Sequence, residues 1–148
     1  MVGKKNYVII LASGNGNRFG GTLPKQFCNI AGKPVLMHSI TVFDSCPLNI
    51  EIILVLHPEY IAFWKQLVKE YNFKIPHKIV RGGKERFYSA KNALEIISDG
   101  DDVIIGIHDG VRPFVSHEVI LRTYSEAANR GAVIPVLPTV NPIRILTT

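Results

Sequence analysis

Strand-like apolar runs alternate with helix-period segments along this chain, and that alternation constrains its fold more than any other feature. Tyr7-Val8-Ile9-Ile10-Leu11-Ala12 is continuously apolar and stops at glycines, the pattern of a strand buried on both faces. Pro34 to Ser45 follows, with Val35, Leu36, Ile40, Val42 and Phe43 near helical spacing and Pro34 suited to a first helical turn. Ile50 to Leu56 reads as a second strand, and Pro58 to Tyr71 as a second helix carrying Trp64, Leu67 and Val68. Ile79-Val80 is a short strand ended by Arg81-Gly82-Gly83, and Lys84 to Ile97 is a helix with Ala90, Ala93, Leu94 and Ile97 on one stripe. Asp102 to Ile107 is another strand, running into His108-Asp109-Gly110-Val111-Arg112-Pro113. Ser116 suits the N-cap of a helix through Arg130, and Gly131 its C-cap. Ala132 to Leu137 is expected as a last strand.

A strand-helix order repeated in this way demands right-handed crossovers, hence a mostly parallel sheet with helices on both faces. At 148 residues one core is expected, so residues 1–148 are assigned to a single α/β domain. Ligands of such sheets bind beyond the carboxyl ends of the strands. The loops after Ala12, Val80 and Ile107 are therefore the informative ones, and all three combine glycine with charge.

Composition narrows the partners. With 47% hydrophobic and 20% charged residues the chain is not an extended disordered one. No apolar run approaches the about 18–20 residues of a membrane-spanning helix, and no signal-peptide pattern precedes the first strand, so a cytoplasmic protein without a membrane partner is expected. Cys28 and Cys46 lack metal-cluster spacing and are expected as reduced thiols in or near the core. The net charge of +5 suits nucleic acid and polyanionic small molecules alike. No stretch interleaves Lys and Arg with aromatics as a single-strand groove does, and several cations follow apolar strands. A phosphate-bearing small molecule is thus expected, and no nucleic acid.

The first loop, Ser13-Gly14-Asn15-Gly16-Asn17-Arg18-Phe19-Gly20-Gly21, fails the dinucleotide pattern because Phe19 stands at the third glycine, and the second strand ends in Leu56-His57 rather than an acidic residue. It also lacks the Gly-Lys-Ser/Thr of a P-loop. What remains is a turn whose backbone N–H groups can face an anion, with Arg18 within it. Pro24 restricts the backbone before Lys25, which aims an ammonium at the same anion. Arg18 and Lys25 suit the charge that builds on transferring phosphoryl oxygens. Asp109, at the end of a strand and facing a phosphate loop, suits Mg²⁺, which takes one or two carboxylates plus substrate phosphates; a structural ion pair with Arg112 is the competing reading. His108 is expected to be packed or hydrogen-bonded rather than a base. Lys84, Glu85 and Arg86 are either a solvated first turn or part of the site.

The combination Leu11-Ala12-Ser13-Gly14-x-Gly16-x-Arg18, Pro24-Lys25-Gln26, Gly82-Gly83-x-Glu85-Arg86-x-x-Ser89 and His108-Asp109-Gly110-x-Arg112-Pro113 resembles the sugar-alcohol-phosphate cytidylyltransferases from about Tyr7 to the end of the chain. Within them it is most similar to the branch acting on 2-C-methyl-D-erythritol 4-phosphate in the non-mevalonate isoprenoid route, and next to the branch acting on ribitol 5-phosphate. The resemblance implies a nucleotide-diphospho-sugar-transferase-like, Rossmann-like α/β fold, and a reaction of CTP with a polyol phosphate to give a CDP-polyol and pyrophosphate with Mg²⁺. It implies Ala12, Ser13 and Gly14 as the cytidine and phosphate cradle, Gly83 and Ser89 around cytosine, and Gly110 near the ribose. Arg18 and Lys25 would be catalytic, Asp109 would hold the metal, and Arg112 and Thr139 would contact the second substrate. Ser13 replaces a commoner Ala, and Lys84 stands where some members have Asp.

The family pattern continues past Thr148 with a dimerisation arm, further polyol contacts and a C-terminal Asp and Lys, and its full-length members are expected to be homodimers. This chain is therefore expected to hold most of the CTP half and to lack much of the second-substrate half. The alternatives are a ribitol-phosphate or related polyol-phosphate enzyme, and a chain that binds CTP without turnover.

Overall fold

The computed structural model describes residues 4–14, 23–98 and 103–138. Its main sheet contains β1 (Lys5–Ala12), β4 (Ile50–Leu56), β5 (Lys78–Arg81) and β6 (Val103–Asp109), in the order β5-β4-β1-β6 and parallel throughout. A two-stranded antiparallel hairpin, β2 (Asn29–Ile30) and β3 (Lys33–Pro34), stands apart from it. Its turn residues Ala31 and Gly32 both have positive φ, +47° and +85°, the conformation that two-residue hairpin turns require. The helices are α1 (Val35–Asp44), α2 (Ile61–Glu70), α3 (Arg86–Leu94) and α4 (His117–Arg130).

The central strands carry the core, because a parallel strand covered by helices buries both of its faces. Val8, Ile10 and Ala12 pack with Leu36, Met37, Ile40 and Phe43 of α1, Trp64 and Leu67 of α2, and Ile120 and Tyr124 of α4. Tyr7, Ile9 and Leu11 face the other way, against Ile53, Val55 and Ala93 of α3. Helices thus cover both faces, as the alternation predicts. Each fully buried Val, Ile or Leu contributes about 1.5–3 kcal/mol through removal of its side chain from water. Tyr124 crosses this core to donate its hydroxyl to the Tyr7 carbonyl at 2.6 Å, and Gly106 leaves room for it: a Cβ there would meet that hydroxyl at 2.5 Å. Burial raises the Tyr124 pKa above the ordinary tyrosine value. Cys46 is buried, Cys28 is half-buried, and both are free thiols.

The register places the strand ends level. Ala12 lies beside Leu56, Leu56 beside Arg81, and Leu11 beside Asp109. From β1 the chain winds outward to β4 and β5, then returns across the sheet to β6 on the opposite side of β1. The winding direction therefore reverses between β1 and β6, the point at which ligands of such sheets bind.

Several expected boundaries differ. The second helix begins as a 3-10 turn at Pro58–Tyr60. The third starts at Arg86 rather than Lys84, because Glu85 is still extended at φ −133° and ψ 168°. Ser116 and Gly131 cap α4 as expected, Ser116 accepting from the Val119 N–H and Gly131 turning at φ +84°. The strand expected at Ala132–Leu137 is absent: this segment pairs with neither sheet, and Leu137 is 90% exposed. An apolar, β-prone run becomes a strand only where a ladder accepts its backbone groups, and among the described residues this one meets none. No helix of the described residues is long and apolar enough to cross a membrane.

Candidate active site at the ends of the first and last strands

Three backbone turns meet at the carboxyl ends of β1, β5 and β6, and hydrogen bonds pin two of them to neighbouring strands. Gly82 N–H donates to the Leu56 carbonyl at 2.8 Å, and Gly110 N–H to the Leu11 carbonyl at 2.9 Å. Ser13 and Ser89 share a hydrogen bond at 2.9 Å between their hydroxyls, and Ser89 Oγ accepts from the Gly83 N–H at 3.1 Å. The fit is close enough to demand glycine twice over. A Cβ on Gly82 would overlap that of Ser13, and a Cβ on Gly83 would overlap that of Tyr88. Gly110 lies against Ala12 and Leu36, each 3.0 Å from where its Cβ would be. Ser89 is wholly buried, so its hydroxyl ties the first and second glycine turns together.

Two buried side chains brace these turns, and the motif reading assigned neither of them a role. The Gln26 amide donates to the carbonyls of Ala12 at 2.9 Å and Gly14 at 3.1 Å. Ser39 of α1 donates to the Gly110 carbonyl at 2.8 Å. A buried polar side chain close behind a glycine turn is the signal by which Gln26, next to Lys25, was findable. Ser39 lies inside a helix and carries no such mark. Among the described residues no buried side-chain nitrogen or oxygen lacks a partner.

Beside this cluster opens a cavity of about 790 Å³, with Lys25, Arg86, His108, Asp109, Arg112 and Phe114 in its wall. Lys25 enters it from the 3-10 turn Lys25–Phe27, which follows Pro24 at φ −58°. Asp109, the last residue of β6, is gripped from two sides. Arg86 bonds Oδ1 and Arg112 bonds Oδ2, the latter at 3.0 Å. The chain turns immediately after Asp109, with Arg112 N–H donating to the Asp109 carbonyl at 3.0 Å. His108 is packed and hydrogen-bonded, its ring 4.9 Å from that of Phe43 and its Nε2 2.8 Å from the Arg112 carbonyl. Burial holds its pKa below the ordinary histidine value, against the raising effects of the Arg112 carbonyl and the Asp109 charge.

Lys25, Asp109 and Arg112 therefore share one cavity, whereas Ala12, Ser13, Gly14, Gly83, Ser89 and Gly110 form the adjoining turn cluster. Arg18 and Thr139 lie outside the described residues. Asp109 is the one carboxylate in the described wall, and the described residues contain no group of three metal-binding side chains. The Asp109–Arg112 ion pair of the competing reading is formed, and Arg86 engages the other oxygen. One carboxylate suits a Mg²⁺ that takes its other ligands from phosphates and water, through the lone pairs the arginines leave, and does not suit an all-protein metal cage.

The sequence matches the family profile of IspD, 2-C-methyl-D-erythritol 4-phosphate cytidylyltransferase, over residues 6–147. It is 48% identical over 143 residues to the 2-C-methyl-D-erythritol 4-phosphate cytidylyltransferase of Bacteroides thetaiotaomicron, covering 97% of this chain and 64% of that protein. The Bacteroides fragilis enzyme of the same name is 49% identical over 139 residues, covering 94% and 63%. Among solved structures, 4-diphosphocytidyl-2C-methyl-D-erythritol synthase from Anaerococcus prevotii superposes with a TM-score of 0.67 at 26% identity, over 86% of this chain and 52% of that one. The bifunctional IspDF from Campylobacter jejuni gives 0.69 at 25%, over 85% and 31%. The chain thus spans about 64% of the length of its Bacteroides thetaiotaomicron relative. From this match, with the strand-end turns and the cation-lined cavity, the chain belongs to the 2-C-methyl-D-erythritol 4-phosphate cytidylyltransferase family.

Proposed function

We propose that this chain binds CTP and serves the transfer of its cytidylyl group to 2-C-methyl-D-erythritol 4-phosphate, releasing pyrophosphate. The observation that carries this reading is the meeting of Lys25, Arg86, Arg112 and Asp109 in one cavity at the point where the sheet reverses its winding. A phosphate monoester is already an anionic nucleophile at neutral pH, so the reaction needs little base catalysis. It needs two anions brought together in line and the growing charge on the α-phosphate stabilised.

The residues divide that work. The turn cluster of Ser13, Gly14, Gly83 and Ser89, held in shape by its internal hydrogen bonds, is assigned the nucleoside. Lys25 is assigned the charge that grows on the α-phosphate, a task the family resemblance shares with Arg18, while the phosphate oxygen of the polyol attacks phosphorus and the bond to the pyrophosphate oxygen breaks. Arg112 lies in the same wall and is assigned the second anion, a task the family resemblance shares with Thr139. Asp109 would hold Mg²⁺, which when bound neutralises phosphate charge. A homodimer, from the family resemblance, and a cytoplasmic location, from the N-terminal sequence pattern, belong to the same reading.

Pyrophosphate release from CTP, measured against 2-C-methyl-D-erythritol 4-phosphate and ribitol 5-phosphate in turn, tests the proposal. Release with the first alone is the expected result. Release with ribitol 5-phosphate alone would reassign the acceptor, and CTP binding without release would leave a nucleotide-binding chain only.

A further inference from the structure

We propose that Arg86, to which the site reading above gives no separate task, is a positioning residue that sets the polyphosphate side of the site. The inference rests on the reading of this site as one for CTP. Arg86 is the first residue of α3 and reaches across to Oδ1 of Asp109 at the end of β6. The same helix carries Ser89, which holds Gly83 and Ser13 in the adjoining turn cluster. One short helix start therefore spans both parts of the site: Ser89 on the turn side, Arg86 on the charged side.

The chemistry of the pair makes Arg86 more than a surface cation. Asp109 has two carboxylate oxygens, and Arg112 already occupies Oδ2 at 3.0 Å. With Oδ1 bonded by Arg86, both oxygens are engaged, so turning the carboxylate breaks one contact or the other, and Arg112 is aimed by the oxygen it meets. Without Arg86, Asp109 and Arg112 form a simple exposed pair, free to turn together. Arg86 also adds positive charge to a wall in which Asp109 cancels one of the cations. Its side chain is 63% exposed and lines the cavity wall, within reach of what enters it. Arg86 thus fixes the spacing between base contacts and phosphate contacts, and its effect should be felt by a triphosphate and not by a bare nucleoside.

Calorimetric binding of CTP and of cytidine to the full chain and to Arg86→Met tests this. Wild type must bind CTP; failure there overturns the site reading itself and not Arg86 in particular. Given wild-type binding, Arg86→Met is expected to lose about tenfold or more in CTP affinity, as removal of a charge-assisted contact does, with cytidine affinity unchanged. Arg86→Lys keeps the charge without the planar fork and should fall between the two. An equal loss for CTP and cytidine would show a merely structural role, and no loss for either would show no role; both overturn the proposal. Should Arg86→Met fail to fold, Arg86→Lys carries the same comparison.

Discussion

Ser89 and Arg86 stand within one turn of each other on α3, yet they belong to regions built in different ways. Around Ser89 the polar groups are withdrawn from water and matched: Gly83 N–H and the Ser13 hydroxyl meet its oxygen, and Gln26 closes the carbonyls of Ala12 and Gly14. Around Arg86 the charges stay at the surface, with Arg112 75% exposed and Asp109 25% exposed. A buried hydrogen-bonding group stripped of its partner costs about 1–3 kcal/mol, whereas an exposed ion pair contributes about 0–1 kcal/mol. Of these two regions the glycine turns therefore carry the stability, and the charged wall is available for a ligand.

The largest expected effect is at Gly82. Gly82→Ala forces a Cβ into that of Ser13, between two turns already bonded to the sheet, and is expected to destabilise by about 3 kcal/mol, read from the urea midpoint. A variant as stable as its parent would break the contrast at once. Gln26→Ala comes next. It removes the donor from two carbonyls and is expected to cost about 2 kcal/mol, with CTP binding weakened because Gly14 loses its brace.

Acid probes the contrast from outside the turn cluster. His77 donates Nδ1–H to the Ile75 carbonyl at 2.8 Å and accepts from Trp64 Nε1 through Nε2 at 3.0 Å, so its neutral form fits the fold. Burial holds its pKa below the ordinary 6.5, and does the same for His108. The unfolded chain then takes up protons first as pH falls. Stability is full above about pH 6.5 and declines as pH drops through the lower folded values. Urea midpoints at falling pH read this loss, and the fluorescence of Trp64, the one tryptophan, follows His77 separately. A midpoint indifferent to acid would contradict the neutral, buried histidines. The smallest effect on stability belongs to Arg112→Ala, expected below about 1 kcal/mol while affinity for 2-C-methyl-D-erythritol 4-phosphate falls about tenfold. A loss of stability equal to that of Gln26→Ala would erase the distinction between the two regions.

Much of the architecture is legible in the chain because parallel strands buried on both faces leave continuous apolar runs, and β1 and β4 are nearly all apolar. The hairpin at Asn29–Pro34 was not foreseen, since Ala31-Gly32 lacks the Asn or Asp that marks such turns and Ala31 accepts a positive φ of 47° regardless. The strand expected over Ala132–Leu137 rested on composition, and composition carries no information about a pairing partner. In the site, Lys25, Asp109 and Arg112 could be picked out as charges following strands, because turn residues after buried runs have few other uses. Gln26 and Ser39 carry no charge and are not picked out that way, and the Gly110 carbonyl that Ser39 braces is brought to it across 71 positions of chain.

By itself the order of residues determined the alternating α/β plan, the positions of the glycine turns and the kind of charge beside them. These follow from periodicity and from the few residue types that tolerate tight turns, both local properties. Only the tertiary structure decided that Arg86 and Arg112 take opposite oxygens of Asp109, and that Ser89 clasps Ser13 across 76 positions of chain. Such contacts depend on strand order and register, which place distant residues a few ångströms apart and leave no trace in local pattern.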